Sequence, residues 1–388
     1  MRIGIDAREL SGRATGVGRY LGGLLAEWAR SSHEAGRHEF VLYAAGPLGA
    51  ELDARRFGTR LIPGAAGTWW EQVRLPRAVT QDHLDVWFGP AYTAPLALNL
   101  PVVLTIHDVS FVAHPEWFRL REGLRRRWLT QHSAQRARTV ITVSAFSKRE
   151  IVDHLGISAE KIHVIPQGVK SPVGTRDWGL GTRNSISADP EPLAPTTLLT
   201  ASPQSPVPSP HRVLYVGSIF NRRHVPDLIR AFAPIARAHN NASLDIVGDN
   251  RSHPREDLTG TIAQEGLQRQ VRCHEYVSDD DLRDLYARAR VFAFLSEYEG
   301  LGMTPLEALA AGVPPVLLDT EVARESCGDA ALYVPANDLR AATGALDALL
   351  FDEAVRSRVL AAAPAALSKY SWPRAARETL AVLMAVGR

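Results

Sequence analysis

The chain is 388 residues long, with 45% hydrophobic and 22% charged residues, an ordinary globular composition too long for one hydrophobic core, so two domains are expected. The formal net charge of +2 gives no reason to expect a nucleic-acid partner, and two cysteines, Cys273 and Cys327, without Cys-x-x-Cys spacing argue for a reducing compartment and against a zinc site. The small net charge hides an asymmetry: residues 1–170 hold 22 Lys/Arg against 16 Asp/Glu, and the remainder 22 against 26. The first half is therefore the one suited to an anionic partner or membrane surface.

In chain order, "MRIGIDARE" predicts a buried strand running into a loop. No apolar core of a secretory signal follows it, and nowhere do enough apolar residues run together to span a membrane. The glycine-rich "GRATGVGRYLGGLL" (12–25) comes next. Gly16, Gly18 and Gly22 do not fit the Gly-x-Gly-x-x-Gly of a dinucleotide site, which argues against a nicotinamide-dependent enzyme. The stretch reads either as a surface loop before a helix or as a loop over a ligand, with Arg19 and Tyr20 near the cleft. "EFVLYAA" predicts a second strand. In "TWWEQVRLP" (68–76), a helix start that packs its tryptophans is favoured, while Trp69 as an aromatic face for an acceptor sugar is the sharper reading.

"DVWFGP" and "VVLTIHD" are further strands, and the second ends in His107-Asp108. A His-Asp pair at the carboxyl end of a parallel strand lies where open α/β sheets bind ligands. "RLREGLRRRWLTQHSAQRAR", Arg119 to Arg138, reads as a solvated helix face, or as a basic amphipathic surface that docks on anionic lipid. "TVITVS" and "HVIPQGV" complete the alternation of a parallel sheet wrapped by helices. Residues 171–210 are rich in Pro, Ser, Thr and Gly and lack apolar periodicity, so they read as a linker or disordered insert.

The alternation restarts at "RVLYVGS" and continues through "SLDIVGD", "VRCHEYV", "RVFAFLS", "VPPVLLD" and "ALYVP". Arg222 and Arg223 sit at a helix start, where positive charge is mildly unfavourable, so a phosphate partner is a reason for them. "VSDDDLRDLY" (277–286) reads as Ser278 capping its helix with Asp281 in reply, not as a metal site. In "SEYEGLGMTPLEALAAGVPP" (296–315), Thr304 is placed to N-cap, Pro305 to follow it, Glu307 to complete a capping box and Gly312 to end the helix. Gly300 and Gly302 also let the backbone approach a ligand, and the helix N-terminus behind them suits a phosphate. Capping and ligand binding are not exclusive for Glu307.

This last stretch resembles the E-x7-E signature of retaining glycosyltransferases of family 4, which have the two-Rossmann GT-B fold. The resemblance covers nearly the whole chain apart from 171–210. It implies two Rossmann-like α/β domains facing across a cleft: 1–170 on the acceptor side, 211–365 for the nucleotide sugar, and a helix in 366–388 crossing back to the first. It implies that Glu299 holds hydroxyls of the transferred sugar, Glu307 holds the ribose, and the amides of Gly300, Leu301, Gly302 and Met303 hold the diphosphate.

"YVGSIFNRRHVPDLIRAF" (215–232) resembles the family's Gly-x-x-x-x-Arg-Lys-Asn element. Gly217 and Arg222 match, with Arg223 at the lysine and His224 at the asparagine. Either arginine can carry the phosphate role. His107 resembles the family's histidine, a residue that positions the reacting sugar and is no nucleophile. Gly16 and Gly18 fall on its glycine loop over the donor phosphates, and Val277 on its base-binding edge. Gln167 stands where Asn is usual.

The implied catalytic set is therefore His107, Arg222, Arg223 and Glu299, with Arg19, Tyr20, Trp69 and Asp108 towards the acceptor. Neither metal nor cofactor is implied. The glycine loop favours GDP-mannose as donor, and a glycan or lipid-linked glycan as acceptor. A cytoplasmic protein, peripheral at the inner face of the membrane through Arg119–Arg138, is the matching location. A non-catalytic GT-B subunit that binds a partner enzyme or a membrane surface is the alternative; the presence of both glutamates, the glycines and the arginines argues against it.

Overall fold

The structure is a computed structural model that describes residues 1–11, 16–31, 35–48, 53, 56–173 and 211–387. The Pro/Ser-rich stretch lies outside the described residues from 174 to 210.

Two parallel sheets are built from the β-branched runs. The first contains β1 (Arg2–Asp6), β2 (Glu39–Ala44), β3 (Phe57–Leu61), β4 (Val86–Gly89), β5 (Val102–Thr105), β6 (Thr139–Thr142) and β7 (Ile162–Val164), in the order β3-β2-β1-β4-β5-β6-β7. The second contains β8 (Arg212–Val216), β9 (Ser243–Val247), β10 (Val271–His274), β11 (Val291–Phe294), β12 (Pro315–Leu318) and β13 (Leu332–Val334), in the order β10-β9-β8-β11-β12-β13. Strands such as β4, β5, β6 and β11 are buried along their whole length, as expected where helices cover both faces of a parallel sheet. β3 is different: only Phe57 is buried and the next four residues are exposed, so this edge strand carries no apolar run that a sequence reading could detect.

In each sheet the strand order reverses once, between β1 and β4 and between β8 and β11. At such a point the loops leave the carboxyl ends of neighbouring strands in opposite directions and open a crevice for a ligand. His107 follows β5, Gly217 follows β8 and Glu299 follows β11, so the residues singled out above lie on these ends.

The closing helix, Trp372–Val386, packs on the first sheet, not the second. Trp372, Ala375, Ala376, Leu380 and Leu383 join the apolar core of Ile3, Leu21, Trp28 and Phe40. Trp28 Nε1 donates to the Ala376 carbonyl at 2.9 Å. Trp372 packs against Gly23 and Gly168; a Cβ on them would come within 2.3 Å and 2.2 Å of its ring, respectively. Those two glycines make room for an indole that ties the end of the chain to the first domain.

Candidate active site

The two crevices meet at Gly300. Its carbonyl accepts from Ser144 Oγ at 2.5 Å and lies 3.0 Å from Ser147 Oγ, which is also 3.0 Å from the His107 carbonyl. A Cβ on Gly300 would stand 2.1 Å from the His107 oxygen. This glycine therefore serves close approach of the two domains. Ser144 also caps the helix Ala145–Leu155, accepting from Ser147 N. The next free amides of that helix, Ala145 N and Phe146 N, donate at 2.7 and 2.8 Å to the Glu325 carboxylate of the second domain. One domain thus supplies the anion that satisfies the other's helix N-terminus.

Glu299 lies beside this junction. Its Oε1 accepts from Ser296 Oγ at 2.8 Å and pairs with Arg223, Nε at 2.9 Å and Nη2 at 2.7 Å. Arg223 is further held by the Ser218 carbonyl at 2.7 Å and lies over the Phe294 ring. Gly217, with φ of +151°, brings the turn close enough for a Cβ there to meet Arg223 Nη1 at 2.9 Å. Arg222 is placed differently. Its guanidinium lies between Phe220, 4.5 Å away, and Trp117 of the first domain, 5.5 Å away, and its buried Nε has no protein partner. His224 adopts a left-handed conformation, φ +47°, which Asn tolerates readily, and its Nε2 meets Glu297 at 2.8 Å.

The helix Met303–Ala310 corrects the capping-box expectation. Its N-cap is Gly302 at φ +82°, no side chain caps the first turn, and Thr304 lies inside the helix. A left-handed cap suits glycine and places no side-chain oxygen over the first amides, so no side chain caps this helix end. Glu307 does not reach back to the cap. It is 6% exposed and stands 3.6 Å from Arg19, on the helix Gly16–Arg30 of the first domain. Burial pushes its carboxyl up and the Arg19 charge pulls it part of the way back. Gly312, at φ +77°, does close the helix as expected: Val313 N donates to Ala308 O at 2.9 Å just beyond it.

Asp108 accepts from Tyr92 Oη at 2.8 Å and from Ser110 N and Oγ at 2.9 and 2.7 Å. Burial alone would raise its carboxyl, but these bonds and the Arg222 charge hold it below the usual range. The His107 ring packs edge-on against Tyr20, centroids 4.8 Å apart, and its Nε2 meets the Pro90 carbonyl at 2.9 Å. A carbonyl only accepts, so Nε2 carries the proton there. Burial lowers the affinity of this imidazole for a second one.

Several expected positions are corrected. Gly16 and Gly18 lie in the first turn of a helix, not in a loop. Tyr20 is fully buried and bonds Thr105 Oγ1 at 3.4 Å, so it backs His107 and offers no surface to an acceptor. Arg19 faces Glu307 of the second domain. Trp69 is 62% exposed under the Arg74 guanidinium, whereas Trp70 is the tryptophan that packs inside. Ser278 caps its helix as its spacing suggests, accepting from Asp281 N at 3.1 Å, while Asp281 replies to the Ser278 hydroxyl, which donates to Oδ2 at 2.6 Å, and not to the backbone N–H. Val277, half-buried, lies in the turn just before it.

A broad concavity lined by Leu100, Arg136, Arg138 and Lys161 lies at the opposite, amino ends of β5 and β6, away from the Gly300 junction. Among the described residues no group of His, Cys, Asp and Glu is arranged to hold a metal ion.

Comparison with known proteins fits this geometry. Residues 14–171 match the family described as Glycosyltransferase Family 4, and residues 201–365 match Glycosyl transferases group 1. The chain belongs to the family 4 type of GT-B glycosyltransferases. It is 27% identical over 302 residues to the O-antigen chain mannosyltransferase B of Escherichia coli, covering 77% of this chain and 74% of that one. Among solved structures, it is similar to sucrose-phosphate synthase of Thermosynechococcus elongatus, with TM-score 0.73, 17% identity, and 99% and 98% of the two chains covered. It is also similar to Anabaena HepE in complex with UDP and glucose, with TM-score 0.70, 16% identity, and 99% and 100% covered. At these identities the structural likeness concerns the fold.

Sequence reasoning missed four residues that join the halves of this glycosyltransferase: Trp117, Ser144, Ser147 and Glu325. Ser144 and Ser147 carried a signal, a serine capping pattern directly after a buried strand. Trp117 and Glu325 carried none, because their partners lie in the other domain.

Proposed function

We propose that this glycosyltransferase moves a hexose, with mannose from GDP-mannose as the first choice, from a nucleotide diphosphate sugar to a glycan or lipid-linked glycan acceptor, with retention of configuration. The observation that carries the reading is the junction at Gly300, which sets the Glu299 loop and the uncapped helix end at Gly302 against His107. The diphosphate lies on the amides after Gly300, the sugar at Glu299, and the ribose at Glu307. The Glu299 contacts all fall on Oε1, so Oε2 is the oxygen offered to sugar hydroxyls. Mannose is favoured by the likeness to a mannosyltransferase.

The acceptor hydroxyl attacks C1 on the face from which the diphosphate leaves. The bond from C1 to the phosphate oxygen breaks, the bond from C1 to the acceptor oxygen forms, and a diphosphate oxygen takes the hydroxyl proton. Arg222, Arg223 and the loop amides stabilise the charge on the leaving group, the role a metal plays in other transferases. Arg222 is the arginine with an unused N–H at the site, while Arg223 must share its charge with Glu299. Glu299 positions the sugar; both glutamates sit on one loop–helix unit, unlike the facing acids of a glycosidase.

The test is a panel of nucleotide sugars scored for binding and slow hydrolysis. GDP-mannose is expected to bind and hydrolyse, and Arg222→Ala to lower hydrolysis by about 100-fold or more. Failure of every nucleotide sugar to bind would overturn the reading.

A further inference from the structure

We infer that the helix Leu120–Arg136 is a docking face for an anionic lipid bilayer. Leu120, Leu124 and Trp128 recur every four residues along it and are 76%, 59% and 53% exposed. At roughly 100° per residue they form one stripe, set away from the face that buries Leu129, Thr130, Ser133 and Ala134. A soluble helix puts its leucines inward; here the inward face carries a single leucine, and the outward face carries the large apolar side chains.

The charges complete the pattern. The helix holds five arginines against one acid, Glu122. Arg121 and Arg125 flank the stripe on one side and Arg127 on the other, all exposed. Guanidinium groups bordering an apolar stripe suit the phosphates of a bilayer surface, with leucine and tryptophan entering the headgroup region. The exposed Trp69 extends the patch, because Arg125 Nη1 donates to the neighbouring Thr68 Oγ1 at 2.8 Å. Four of the seven large exposed hydrophobics among the described residues thus gather at one place.

The position is suited to an acceptor held in the membrane. The helix begins three residues after Trp117, the ring that covers Arg222, and Arg126 lies over Phe118 at 6.0 Å. A lipid-linked acceptor in the docked bilayer would present its head group beside the cleft. That last step rests on the glycosyltransfer reading; the docking face itself does not.

The test is co-sedimentation of the full chain with vesicles of phosphatidylcholine alone and of phosphatidylcholine with phosphatidylglycerol, at low and high salt. Binding is expected only to the phosphatidylglycerol vesicles, weakening with salt. The pair Leu124→Glu/Trp128→Glu and, separately, the pair Arg121→Glu/Arg127→Glu are each expected to weaken it about tenfold or more. Both variants should keep the parent's thermal transition and its hydrolysis of nucleotide sugar in solution. Parent protein that stays unbound, or binding retained in both folded variants, would overturn the inference. So would a parent dimer that ignores vesicles and becomes monomeric in Leu124→Glu/Trp128→Glu, which would assign the stripe to a second copy of the chain. Vesicle binding is read without any sugar donor, so its failure is distinct from failure of the donor reading.

Discussion

Glu307 illustrates how a single carboxylate can satisfy a sequence pattern and still do something else. Thr304 and Glu307 have capping-box spacing, but the chain enters the helix through Gly302 at φ +82°, and the carboxylate turns inward to a buried site facing Arg19. Spacing reports which residues can cap; it does not report which residue the backbone turns on. Burial raises this carboxyl above its ordinary value, and Arg19 offsets only part of the effect. An acid raised by folding costs nothing below the ordinary carboxylate range, where it is protonated folded or unfolded. Its cost grows as pH rises and is complete above the folded value. Glu307→Gln is therefore expected to raise the thermal midpoint modestly near neutral pH, with the gain vanishing as pH falls into the carboxylate range. The same substitution should weaken nucleotide-sugar binding about tenfold through loss of the carboxylate proposed to hold the ribose. Thermal scans across pH check the first part. A gain confined to acid pH would contradict it.

At the scale of elements, the strands were legible because short buried β-branched runs alternate with helical periods, and the E-x7-E stretch was legible because its order is long. The joints between elements were not. Ser144, Ser147 and Glu325 act through hydrogen bonds to residues more than 150 positions away or through a loop carbonyl, which no local period encodes. Gly300 was read as room for a ligand, and it proves to be room for His107. A methyl there must push the Glu299 loop away from the first domain. Gly300→Ala is expected to lower nucleotide-sugar hydrolysis about 100-fold, the effect of a displacement near 1 Å at a reacting centre. The thermal transition should stay as in the parent, since both cores are untouched. Rate measurements beside calorimetry check this, and an unchanged rate would remove Gly300 from the site.

Across the whole molecule, the two sheets present their switch points to each other, and the closing helix binds the chain's end into the first core through Trp372. The cleft is crossed by charge as well as by backbone: Glu325 to the helix Ala145–Leu155, Arg149 to Glu321, and Arg19 to Glu307. In the proposed function, that arrangement lets one ligand touch both domains, with its sugar at His107 and Glu299 and its nucleotide on the second sheet. The most direct test is proton NMR of nucleotide-sugar turnover by the parent protein, followed to the anomeric configuration of the first sugar product. The account predicts that an α-linked donor is consumed with release of α-configured product, and that Arg223→Ala slows this strongly. An inverted product, or no consumption of any nucleotide sugar, would contradict it.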